Sequence, residues 1–110
     1  MLGKEIELDK RVIAARSVIS NHFIRNRCFV EENTILNNID ALSQIPITIV
    51  HGRLDLICRI EQAFTLAKSL ENAQLQVVPN AGHSMFDHFM VDALIKASDD
   101  MANFLTETKT

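Results

Sequence analysis

The chain has 110 residues, with 11 Lys and Arg against 14 Asp and Glu for a formal net charge of −3. Hydrophobic residues make up 47% of it, which excludes a disordered tail and leaves one domain, or a piece of one, with apolar material for a modest core. The acidic balance argues against nucleic acid or an anionic membrane as partner, and no apolar run approaches the ~20 residues that span a bilayer.

The stretch Met1 to Lys10 alternates charged and apolar groups without the apolar centre of a signal peptide, so a cytoplasmic chain is expected. Cys28 and Cys58 suit that compartment as buried or idle thiols rather than a disulfide framework. Leu8, Val12, Ala15, Ile19 and Phe23 recur at helical spacing, with Asp9 placed to cap the start. Arg25-Asn26-Arg27 closes this helix with positive charge at the end where the macrodipole favours it. A shorter helix is expected after Asn33 as N-cap, with Ile35, Leu36, Ile39 and Leu42 on one face.

At Pro46 the period changes. Ile47 to Val50 is a continuous, mostly β-branched run, the pattern of a parallel strand covered on both faces. Glu61 to Leu70 returns to helix, burying Ala63, Phe64, Ala67 and Leu70. Gln74 to Val77 alternates polar and apolar, as a strand nearer a sheet edge does. A last helix is marked by one apolar stripe: Phe86, Phe89, Met90, Ala93, Leu94, Ala97, Met101, Phe104 and Leu105.

The class that follows is α/β. A β–α–β–α unit with parallel strands spans 45–110, preceded by two helices in a helical lead-in over 1–44, the whole forming a single, partial domain. Two parallel strands are too few for an independently stable sheet. Their neighbours are expected from a further portion of a longer protein or from a second copy of the chain.

Chemistry concentrates at the two strand ends. Val50-His51-Gly52-Arg53-Leu54-Asp55 delivers an acid, and Val78-Pro79-Asn80-Ala81-Gly82-His83 an imidazole. Such a pair suits two members of a catalytic triad, in which the imidazole moves the nucleophile's proton and the carboxylate fixes its tautomer. Separately, Asp55 would read as a turn or cap residue and His83 as a solvent-facing turn histidine. His51 is read as structural, Cys58 as a packed residue, and Arg53 as pairing with a nearby carboxylate or carbonyl. Ser84, beside the base on one turn, points away from it and is not taken as a nucleophile. His88 follows His83 at a poor spacing for two ligands, so no metal site and no cofactor are expected.

With Cys58 and Ala63 after the first turn and Ser84 after the second, these segments resemble the C-terminal third of the prolyl aminopeptidases (proline iminopeptidases), serine hydrolases of the α/β-hydrolase fold. Asn21-His22-Phe23 resembles part of that family's Glu-Asn-His-Tyr-Phe stretch. Asn38-Ile39-Asp40 with Ile45-Pro46 resembles its lead into the penultimate strand. The resemblance runs roughly from Val12 to Leu105 and implies that Asp55 and His83 hold the triad acid and base positions.

It also implies two departures. The family's nucleophile sits on a Gly-x-Ser-x-Gly elbow, whereas the glycines here are Gly3, Gly52 and Gly82, none bracketing a serine in that pattern. The elbow is expected upstream of Met1, and the chain alone is expected to be nearly inert. The family Glu that holds a substrate's α-amino group is matched by Ser20, and the Tyr by Phe23. A neutral hydroxyl cannot supply the charge-assisted bond a carboxylate gives an ammonium. The expected activity is therefore cleavage of N-terminal residues, preferably proline, from a peptide substrate once completed. The alternative is a non-catalytic relic or interaction module that self-associates through its sheet.

Overall fold

A computed structural model describes residues 9–109. The chain divides into two compact units, Met1–Thr34 and Ile35–Thr110. The first unit carries helix α1, Lys10–Arg25. Asp9 caps it as the sequence indicates, its carboxylate accepting from Arg11 N at 2.9 Å, which satisfies one of the free N–H groups of the first turn. Leu8, expected at the head of its apolar stripe, lies outside the described residues. At the other end the Asn26 side chain donates to His22 O at 2.8 Å. Arg27, Cys28 and Phe29 then take φ of 51°, 54° and 58°, a left-handed turn of three non-glycine residues that costs about 1–2 kcal/mol per residue. Stacked rings offset part of this: Phe29 meets His22 at 5.4 Å and Phe23 edge-on at 5.5 Å between centroids.

The expected second helix is broken into two pieces. Helix α2 covers only Thr34–Asn37, and a single 3₁₀ turn follows over Ile39–Leu42. Asn33 immediately precedes α2, as expected of its N-cap, but in the left-handed region with φ of 58°. The 3₁₀ turn closes through Ser43 N to Asp40 O, and the Ser43 hydroxyl donates to the same carbonyl. Side-chain and backbone donors thus compete for the carbonyl a longer helix would use.

In the second unit, strand β1 (Ile47–Gly52), helix α3 (Ile60–Lys68), strand β2 (Ala73–Val78) and helix α4 (His88–Glu107) follow in the expected order. The strands are parallel, in register from Ile47 opposite Ala73 to Gly52 opposite Val78. Both helices pack on both strands. The expected boundaries hold to within two residues, with one exception: Phe86 precedes the N-cap Asp87 and is 85% exposed, so it is not part of the helical stripe. Asp87 starts α4 by accepting from Phe89 N at 3.0 Å.

The core is small and sits under the second turn. Val78, Ala81, Met90 and Ala93 cluster there, with Val50 packed against them. β1 is half-buried rather than covered on both faces, because among the described residues it pairs only with β2. Phe64, Phe89 and Leu94, expected to be buried, are exposed, and so are Cys28 and Cys58.

The ladder continues past the strand ends. Arg53 N donates to Val78 O at 2.9 Å and Leu54 N to Ala81 O at 3.0 Å. These bonds draw the two turns so close that a Cβ on Gly52 would lie 2.8 Å from the Ala81 carbonyl carbon, and nearer still to the Ala81 and Gly82 oxygens. A Cβ on Gly82 would meet nothing nearer than Leu54 O at 3.7 Å, an ordinary contact. Gly52→Ala is therefore expected to destabilise the chain by about 2–3 kcal/mol, since backbone must move to admit it, and Gly82→Ala by less than about 1 kcal/mol. Urea denaturation of the two variants beside the parent checks the contrast.

Candidate active site

Asp55 and His83 come together at these turns. His83 Nδ1 lies 3.0 Å from Asp55 Oδ2. A carboxylate oxygen accepts, so Nδ1 carries the proton, and in the neutral ring Nε2 keeps the lone pair. The His83 side chain is 49% exposed while that of Asp55 is 7% exposed. The arrangement is an imidazole presented to its surroundings and held from behind by a sheltered carboxylate.

The other Asp55 oxygen is occupied locally. Oδ1 accepts from Ile57 N at 2.9 Å and Cys58 N at 2.8 Å, an Asx-type turn in which the side chain substitutes for a backbone acceptor. Shelter from solvent pushes the Asp55 pKa up. The Cys58 N–H, the His83 side chain, the Ile57 N–H and the charge of His83 pull it down, and the balance falls below the ordinary aspartate value. Asp55 is thus ionised at neutral pH, the form that fixes the His83 tautomer and balances a charged imidazolium.

Sequence reading missed the neighbour on the other side. His51 Nε2 lies 2.9 Å from Cys58 O and 3.7 Å from Asp55 Oδ2. The two residues are four apart but on a strand and its following turn, where spacing alone signals no contact. Ser84 keeps its hydroxyl local, accepting from Phe86 N at 3.2 Å. Arg53 is not among the ion pairs of the described residues; its backbone N–H, not its side chain, does the structural work. Ser20 lies exposed on α1, in the first compact unit.

The His83 ring opens to its surroundings rather than into an enclosing cleft of the described residues. A concavity of about 640 Å³ lies at the opposite end of the strands, lined by Pro46, Ile47, Asn72, Ala73 and Phe104 among others. Around the pair the chain instead presents bare apolar side chains: Leu54, Leu56, Ile57, Met85 and Phe86 are all exposed, Leu56 to 94%. Among the described residues no group of three His, Cys, Asp or Glu side chains could hold a metal ion, and no helix is long and apolar enough to cross a membrane.

Fold and site together define an α/β protein whose adjacent parallel strands present a hydrogen-bonded acid–imidazole pair. The chain matches no protein-family model. It is 40% identical over 95 residues to the proline iminopeptidase of Xanthomonas citri, covering 86% of this chain and 30% of that protein. It is 43% identical over 82 residues to a probable proline iminopeptidase of Leptolyngbya boryana, covering 74% and 26%. Against the proline iminopeptidase of Neisseria meningitidis serogroup A it is 37% identical over 99 residues, covering 89% and 32%. The chain is a relative of the proline iminopeptidases, and it spans roughly a third or less of the length of the curated relatives it matches.

The lowered pKa sets the sign of the acid dependence. A carboxylate whose folded pKa lies below its unfolded value adds stability that is present above the unfolded value, about 3.9. That stability is lost as pH falls through the folded one. Asp55→Asn removes this contribution. Unfolding free energy measured from pH 6 down to pH 2 is expected to fall more steeply in the parent than in Asp55→Asn.

Proposed function

We propose that this chain is the acid-and-base portion of a proline-iminopeptidase-type serine hydrolase. The observation that carries the reading is the 3.0 Å bond from His83 Nδ1 to Asp55 Oδ2, formed where two parallel strands end. His83 Nε2 takes the hydroxyl proton of a serine as its oxygen attacks the peptide carbonyl. Asp55 balances the imidazolium that results. The same proton then passes to the departing amine, and a water molecule repeats the sequence to release the acyl group. In this reading the substrate is a peptide cut after its N-terminal residue, as the names of the relatives indicate.

The nucleophile and the pocket come from outside these 110 residues. None of the three glycines brackets a serine as an elbow requires, His83 is half exposed, and Leu56 and Phe86 beside the pair are bare. Removing the nucleophile alone costs on the order of 10⁶ in kcat in a well-studied serine protease, so the chain by itself is inert. Ser20, at the position matching the family's amine-holding Glu, weakens selection for a free N-terminus.

A second reading is favoured by the free edge of β1 and the uncovered apolar side chains. Here two copies of the chain pair edge to edge, completing one another's sheet without catalysis.

The purified chain is expected to give no measurable hydrolysis of a prolyl arylamide. With a polypeptide carrying the Gly-x-Ser-x-Gly portion of a proline iminopeptidase, turnover appears and His83→Ala abolishes it. Turnover by the chain alone that is lost in His83→Ala would refute the claim of inertness. Sedimentation of the chain alone separates the readings, because edge pairing requires a dimer and a folded monomer at low micromolar concentration excludes it.

A further inference from the structure

We propose that His51 is a positioning residue for Asp55, acting through the Cys58 carbonyl. The segment from Asp55 to Cys58 has little packing to hold it: Leu56, Ile57 and Cys58 are exposed, so burial does not fix its course. Hydrogen bonds do. Within the segment, Asp55 Oδ1 takes the N–H groups of Ile57 and Cys58. Two bonds tie it back to β1, Asp55 N to Gly52 O at 3.2 Å and the His51 ring to Cys58 O at 2.9 Å.

A backbone carbonyl only accepts, so His51 carries its proton on Nε2. Cys58 is then held at both its backbone groups, the N–H by the Asp55 carboxylate and the C=O by the His51 ring. This closes a loop of bonds from β1 through Cys58 to Asp55 Oδ1, which stops the carboxylate from rotating and keeps Oδ2 aimed at His83. His51 is suited to the task because it is anchored on the strand opposite Val77 and only 16% exposed at its side chain.

The arrangement also resolves a competition. His51 Nε2 lies 3.7 Å from Asp55 Oδ2, the oxygen that His83 uses. With its single proton committed to Cys58 O, the neutral His51 ring does not displace His83 from the carboxylate. A phenylalanine in its place fills the space without the donor. A glutamine restores a donor at nearly the same reach.

The inference builds on the Asp55–His83 pair but not on turnover, and its test needs no substrate. Ring-nitrogen NMR of the full chain at neutral pH is expected to find His51 with its proton on Nε2 and His83 with its proton on Nδ1. In His51→Phe the share of His83 protonated on Nδ1 falls roughly twofold or more, toward the mixture of a free ring, and His51→Gln restores it. A merely packing role predicts the reverse order, Phe tolerated and Gln not. His51 protonated on Nδ1 alone in the parent would overturn the proposal even if His51→Phe fails to fold. So would a folded His51→Phe whose His83 ring is unchanged. An inactive completed assembly with these ring states intact counts against the hydrolase reading and leaves the role of His51 standing.

Discussion

The site depends on the contact between two turns of backbone, Gly52 against Ala81 and Gly82. β1 and β2 end in register, and the ladder runs on through Arg53 N to Val78 O and Leu54 N to Ala81 O. Asp55 and His83 follow those bonds within a few residues, so their separation is set by main chain rather than by side-chain packing. Among the described residues, Val78, Ala81, Met90 and Ala93 cluster beneath, with Val50 against them, and anchor the second turn against the start of α4. An error of an ångström in either turn would break a 3.0 Å bond, and this is why no Cβ is tolerated at Gly52.

The same economy shows in the sheet. A parallel strand with a run of Ile, Thr, Ile and Val is built for neighbours on its edge and cover on its faces. Here it has one neighbour and half-buried residues. Apolar side chains stand bare beside His83, and a concavity of about 640 Å³ lies at the opposite end of the strands. Asp55 and His83 are hydrogen-bonded, while the apolar side chains beside them are exposed. The chain spans roughly a third or less of the length of the proline iminopeptidases it matches.

Much of this was legible in the residues. The β-branched run after Pro46, the alternation over Gln74 to Val77 and the long stripe of α4 each have one dominant period, and each element formed. Asp9 was readable as a cap because its chemistry is local. The helix expected after Asn33 breaks at Asn38, whose φ of −115° and ψ of 24° separate Thr34–Asn37 from Ile39–Leu42, and the apolar period there is too weak to carry it across. Cys58 and Phe64 read as packed because apolar residues usually are, yet both are exposed, and Phe86 falls outside the stripe because α4 starts only after Asp87. His51 was unreadable as a partner of Asp55, since its approach depends on how a turn folds back on its own strand.

Backbone register brings the strand ends, and with them Asp55 and His83, within hydrogen-bonding reach in this chain. The most direct measurement is the ring-nitrogen NMR spectrum of His83 in the unmodified chain at neutral pH, compared with Gly52→Ala. The account predicts a ring protonated on Nδ1, with that proton shifted far downfield by the Asp55 carboxylate, and loss of the signal in Gly52→Ala. A His83 ring that averages freely between its two tautomers in the folded, unmodified chain would contradict it.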